Sequence, residues 1–103
     1  MAGSFFQSVY AVVARIPCGK VLSYGDISKL IGYPRRARFV GYAMRVCPEG
    51  LPWHRVVKAD GSIAGGDFAP VREMLLRREG VPFLPDGRVD MQKCRAVLLP
   101  EIG

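Results

Sequence analysis

A single histidine, three cysteines and nine Asp or Glu residues are the first groups to weigh for acid–base, thiolate or metal chemistry in this chain. Any imidazole chemistry or histidine ligation must therefore pass through His54. Cys18, Cys47 and Cys94 are widely separated and odd in number, and they form no CxxC or Cys/His cluster. That spacing argues against a structural zinc site, and no metal is expected. Met1 to Gln7 has no basic segment leading into an apolar run, so export is not expected. Without a secretory context a disulfide scaffold is a poor reading, and the thiols are expected to be reduced in a cytoplasmic protein. No glycine-rich phosphate loop of the Walker or dinucleotide type occurs, so no cofactor is expected.

Charge says more than these groups do. The chain carries fifteen basic and nine acidic residues, a net +6. The excess lies between Lys20 and Lys58, where eight basic residues (Lys20, Lys29, Arg35, Arg36, Arg38, Arg45, Arg55, Lys58) face only Asp26 and Glu49. The rest balances at seven against seven. A basic zone on a small domain points to a polyanion partner, most often nucleic acid; a solvated basic face is the plainer alternative.

Those charges must be positioned by elements. A chain of 103 residues supports one core, hence one domain over 1–103. No apolar run approaches the roughly 20 residues that span a bilayer, so no membrane partner is expected. Ser4 is read as the cap of a first helix carrying Phe6, Val9, Tyr10 and Val13 at helical spacing, with Pro17 ending it. Val21-Leu22 reads as a short extended piece. Ser23 and Asp26 have capping-box spacing, Ile27, Leu30 and Ile31 supply an apolar face, and Gly32-Tyr33-Pro34 breaks that helix. A further helix from about Arg35 to Val46 completes a helix-turn-helix pattern.

At about 100° per residue, Ala37, Val40, Gly41 and Met44 share one face of that helix, and Arg35, Arg38, Tyr42 and Arg45 its neighbour. The first face reads as core, and the second as either a solvated stripe or a phosphate-contacting one. Gly41 permits close approach of another backbone, from a helix or from a duplex. Val56-Val57, the Asp60-Gly61 turn and Ile63 suggest a hairpin wing. Pro70 suits the first turn of a last helix with Val71, Met74 and Leu75 inside, ending at Glu79-Gly80. Asp86-Gly87 marks a turn, and residues 91–103 read as a loosely packed tail. The expected class is mainly α (α+β), a winged helix-turn-helix-like domain with a small β-hairpin.

Several ordered motifs then resemble the DNA-binding and active-site domain of the O6-alkylguanine-DNA alkyltransferases, from Phe5 to about Val89. They are Ile16-Pro17-Cys18-Gly19-Lys20-Val21, Ser23-Tyr24-Gly25, Ala37-Arg38-Phe39-Val40-Gly41, Ala43-Met44-Arg45, Pro52-Trp53-His54-Arg55-Val56 and Glu79-Gly80. The enzymes carry Pro-Cys-His-Arg-Val, whose cysteine accepts the alkyl group; here that position is Trp53, as in the alkyltransferase-like proteins. An indole cannot replace a thiolate nucleophile, so the resemblance implies no catalytic residue and a structural remnant in His54 and Glu79.

The resemblance further implies double-stranded DNA containing O6-alkylguanine as partner, bound by a monomer through the minor groove. It assigns DNA contact to Tyr24, Arg35, Ala37, Arg38, Gly41 and Arg45. Arg38 would fill the stack the base leaves, and Tyr24 would crowd the target phosphate. It assigns the lesion pocket to Met44, Trp53, Val56 and Gly66, the last at a lid position where relatives bear a larger side chain. Cys47 replaces a common asparagine. Handover to nucleotide excision repair is implied by the family alone, as is a place on a bacterial nucleoid or in a eukaryotic nucleus. An active methyltransferase relative and a winged-helix regulator of undamaged DNA are the alternatives.

Overall fold

Ser23 and Asp26 form the reciprocal pair that their spacing predicts. The Ser23 hydroxyl accepts from the Asp26 amide at 3.0 Å, and an Asp26 carboxylate oxygen accepts from the Ser23 amide at 2.9 Å. This box starts α2 (Tyr24–Leu30) directly after the two-residue strand β1 (Leu22–Ser23), so Tyr24 is held at the first turn of a fixed helix. The computed structural model describes residues 2–99. Around this junction it places α1 (Ala2–Ala14), α3 (Ala37–Arg45), a 3-10 turn (Trp53–Arg55), β2 (Val56–Val57), α4 (Ala69–Arg78) and α5 (Met91–Cys94). The helical α+β class with a very small sheet is as expected. Among the described residues no helix is long and apolar enough to cross a membrane.

The strand partner differs from expectation. Val56-Val57 does not pair with Ile63 as a wing; β2 lies parallel to β1, with Leu22 opposite Val56 and Ser23 opposite Val57. The Asp60-Gly61 turn does form, closed by bonds from Gly61 N to Lys58 O and from Lys58 N to Ser62 O, both 2.9 Å. It extends no ladder toward Ile63, and the Gly61 carbonyl accepts from Val89 N at 2.8 Å. Only glycine fits there: φ is +89°, and a Cβ would fall on the Val89 carbonyl oxygen. The antiparallel bridge lies further on, Phe83 with Val89 across the Asp86-Gly87 turn.

Alternation along the strands divides the core in two. Leu22 and Val56 point into a cluster with Val9, Val12, Val13, Ile16, Ile27, Val40, Ala43 and Met44. Val21 and Val57 point the other way, to Leu76, Val81, Val89 and Cys94. As far as Ala96 the last segment belongs to this framework and is not loosely packed, whereas Val97 and Leu99 are exposed. Val21 N donates to Cys94 O at 2.9 Å, Ala96 N donates to Val21 O at 2.8 Å, and Cys94 is fully buried. Residues 100–103 of the expected tail lie outside the described residues.

Two smaller expectations are corrected. Ser4 does not cap α1, which already begins at Ala2; Ser4 is a helical residue whose carbonyl accepts from the Ser8 hydroxyl. The apolar spacing located the buried stripe of that helix, not its end. In α4, Pro70 does sit in the first turn, but Val71 and Met74 are exposed and Leu76 is the buried residue. Its inward face runs through Arg72, Leu75, Leu76 and Glu79, so a basic residue occupies a position that an apolar pattern would reserve for the core.

Candidate nucleic-acid interface

Two side chains fix α3. Tyr10 on α1 donates its hydroxyl to the Ala43 carbonyl at 2.8 Å, holding the C-terminal turn of α3. Ser28, fully buried in α2, governs the other end: its hydroxyl donates to the Tyr33 carbonyl and accepts from the Arg36 amide at 2.9 Å. Arg36 precedes the first residue of α3, so the buried serine defines the turn between the two helices. Val40, Ala43 and Met44 face the core, Ala37 and Gly41 are half-buried at its edge, and Arg38, Phe39, Tyr42 and Arg45 are exposed. Ala43, which the wheel does not place on the core face, is fully buried.

Beside α3 lies a cavity of about 480 Å³ lined by Tyr24, Arg38, Gly41, Tyr42, Met44, Arg45, Lys58, Ala64, Gly65 and Arg72. A shallower groove of about 370 Å³ continues from it past Gly25, Ala37 and Ala59, sharing Tyr24, Arg38, Gly41 and Lys58. A Cβ on Gly41 would meet no atom within 4 Å. The glycine therefore serves no packing inside the chain, and it leaves the helix backbone bare toward the groove.

The structure brings Tyr24, Arg38, Gly41, Met44 and Arg45 to the cavity, and Ala37 to the groove. Arg35 is exposed before α3 and lines neither. Val56 is not a cavity residue, because strand pairing turns it into the core at 1% exposure. Gly66 is exposed beyond the rim, which its neighbour Gly65 forms. Trp53 is half-buried next to the cavity and not on its wall. The Arg72 guanidinium lies over its ring at 4.8 Å from the centroid, and Phe68 meets it edge-on at 6.3 Å. Lys58, Ala64, Gly65 and Arg72 are the lining residues that the sequence did not single out. Lys58 had counted only as charge, and Arg72 lies in the stretch where charges balance.

Behind Trp53, Glu79 at the end of α4 gathers four donors. Arg55 Nε and Nη2 approach its two oxygens at 2.9 and 2.8 Å, His54 Nε2 at 2.7 Å and Gly19 N at 3.3 Å. Arg55 Nη1 reaches on to the Ile16 carbonyl at 2.7 Å. The Arg55 guanidinium is the main reason the Glu79 carboxyl falls to a pKa of about 2, with His54 and the Gly19 amide adding to it against the effect of burial. An ionised carboxylate only accepts, so His54 Nε2 carries the proton in this contact. Cys47 is half-buried, and burial pushes its thiol up, partly offset by Arg72. Among the described residues no group of three His, Cys, Asp or Glu could hold a metal ion.

A helix-turn-helix whose second helix presents arginines and a bare glycine beside a cationic cavity defines a DNA-binding domain of the helical α+β class. The chain belongs to the family described as 6-O-methylguanine DNA methyltransferase, DNA binding domain, which it matches over residues 4–81. It is 48% identical over 96 residues to the DNA base-flipping protein of Escherichia coli, covering 89% of this chain and 74% of that one. Its fold is similar to Schizosaccharomyces pombe alkyltransferase-like protein 1 in complex with damaged DNA containing O6-carboxymethylguanine. That match has a TM-score of 0.81 and 31% identity, over 93% of this chain and 97% of the other. It is also 38% identical over 80 residues to the methylated-DNA–protein-cysteine methyltransferase of Rattus norvegicus, of which it covers 38%.

Proposed function

We propose that this chain is a non-enzymatic sensor of O6-alkylguanine in duplex DNA. The α3 helix enters the minor groove, where Ala37 and Gly41 let its backbone approach the duplex. Arg38 fills the gap in the stack, Tyr24 crowds the target phosphate, and the base turns into the cavity beside Met44. The observation that carries this reading is the cavity itself, which opens against α3 at Tyr24, Arg38 and Gly41. Its volume falls within the roughly 300–1,000 Å³ typical of sites for small molecules. Extrusion costs a few kcal/mol of unstacking, which the inserted arginine and the pocket offset in part.

Transfer chemistry lacks its nucleophile. Trp53 occupies the position at which, by resemblance, the methyltransferases carry cysteine, and no described cysteine lines the cavity. Cys47 is a poor substitute, because burial disfavours its thiolate. The kept His54–Glu79 pair holds Arg55 and the Trp53 turn in place instead of activating a thiol. The bound complex is then presented to nucleotide excision repair, the handover the resemblance implies.

Incubation with an oligonucleotide carrying labelled O6-methylguanine, run beside a gel shift, tests the reading. The expected result is tighter binding to the lesion duplex with all label left on DNA. Stoichiometric label on the protein would overturn it in favour of a methyltransferase. Equal affinity for lesion and unmodified duplexes would favour a regulator of undamaged DNA.

A further inference from the structure

On the side of α3 turned toward α1, aromatic side chains form a row. Tyr33 meets Phe5 at 5.5 Å between ring centroids, Phe5 meets Phe39 at 6.4 Å and Phe39 meets Tyr42 at 5.7 Å, each pair edge-on. The row lines a groove of about 580 Å³, in which Arg36 is the one charged residue among the described ones. Tyr33, Phe39 and Tyr42 are 51%, 44% and 43% exposed. A contiguous apolar patch of this kind marks a site of interaction. Two arginines lie over these rings, Arg36 at 5.5 Å from the Phe39 centroid and Arg45 at 5.8 Å from that of Tyr42. Both walls come from residues 2–25 and 27–48, and neither stretch contains an Asp or Glu.

An occupant that suits this groove is apolar on its faces and negative along its length. A double helix does not match, because its phosphates are exposed while the faces of its bases are closed in the stack. A single strand does, since every base has a π-face to lay on a ring and every phosphate a charge for an arginine. An acidic peptide would also meet the charge, but the groove runs on into the DNA face, because Tyr42 lines both it and the cavity. We propose that the aromatic row is a second nucleic-acid subsite, which stacks unpaired bases of a strand running off the duplex held by α3. The chain then grips junctions between duplex and single strand more tightly than a blunt duplex. This rests on the reading of α3 as the duplex-binding helix and is independent of the lesion and of the cavity that takes it.

The test measures dissociation constants of the native chain, Tyr33→Leu and Phe39→Leu for three unmodified probes. These are a blunt duplex, the same duplex with a 3′ or 5′ overhang of about six thymidines, and that junction with abasic sites in place of the thymidines. The native chain is expected to bind the thymidine junction about tenfold more tightly than the blunt duplex. The abasic overhang keeps the phosphates and should lose most of that gain. Each leucine variant keeps an apolar side chain without the ring and should bring the ratio down toward one. A native ratio near one overturns the proposal, as does a gain that survives in the abasic overhang, which would come from phosphate charge alone. Equal losses on blunt and overhanging DNA would place the rings on the duplex and overturn it as well. Failure to bind the blunt duplex would bring down the reading of α3 first, and the junction preference with it. Amide NMR spectra add a check that needs no duplex: oligothymidine should shift Phe5, Tyr33 and Phe39 together. Shifts there from a glutamate-rich amphipathic peptide, with none from oligothymidine, would overturn the proposal and assign the groove to a protein partner.

Discussion

Gly41 sits in the middle of α3, where glycine costs about 1 kcal/mol relative to alanine, and a Cβ there would meet none of the described residues. Gly41→Ala should therefore raise stability by roughly 0.5–1 kcal/mol while weakening duplex binding about tenfold or more. Urea unfolding and a gel shift on the same preparation check both halves, and a variant that gains stability with full affinity refutes the groove-facing role. Arg38 lines both cavity and groove and is exposed. If it fills a vacated stack, Arg38→Ala should lower affinity for a lesion duplex at least ~5-fold more than for an unmodified one. Equal losses would reduce it to one more phosphate contact.

At the scale of elements, the helix-turn-helix depends on a residue that gives no sequence signal. The buried Ser28 hydroxyl bridges the Tyr33 carbonyl and the Arg36 amide, which also bond each other at 3.1 Å, so Ser28→Ala removes the bridge and leaves that one direct bond to hold the turn. The expected loss is about 0.5–1.5 kcal/mol of unfolding free energy, with weaker DNA binding because the start of α3 is held by fewer bonds. A loss below about 0.3 kcal/mol in denaturant titrations would show that the turn holds by other means. What was legible beforehand follows local rules: the Ser23–Asp26 box, the glycine and proline breaks, Pro70 in the first turn of α4, and the Asp86-Gly87 turn. What was misread is non-local. Val56-Val57 has the same two valines whether it turns back on Ile63 or lies beside Leu22, and its pairing with β1, a segment more than thirty residues away, carries no local signal. Likewise an inward arginine at position 72 hides the buried face of α4 from any apolar count. At the site, α3 could be read from its charges and spacing, but the burial of Val56 and the cover that Arg72 gives Trp53 are products of packing.

At the scale of the whole molecule, Glu79 ties separate parts of the chain together. Its carboxylate joins the end of α4 to the Trp53–Arg55 turn and to Gly19 after α1, and through Arg55 to the Ile16 carbonyl. The end of α4 and the turn that carries Trp53, across which Arg72 covers the indole, are thereby held at a fixed separation. Because the Glu79 pKa is depressed from 4.5 to about 2, the folded state binds this proton less readily than the unfolded state. Its contribution is complete above about pH 4.5, shrinks as pH falls through the window to about 2, and is absent below both values. Such a shift corresponds to on the order of 3 kcal/mol, an appreciable part of the stability of a small domain. Asp60 and Asp86 are also lowered, by Ser62 and by the Arg88 backbone, but they are exposed turn residues and contribute little. Unfolding free energies measured from pH 6 to pH 2.5 should therefore fall steeply below pH 4.5 for the native chain, and much less for Glu79→Gln. Carboxyl resonances followed by NMR give a direct check in the native chain, where Glu79 should titrate near pH 2. A midpoint near 4.5 would mean that the four-donor arrangement does not hold the carboxylate in solution, and that the separation of Arg72 from Trp53 is set by the apolar core alone.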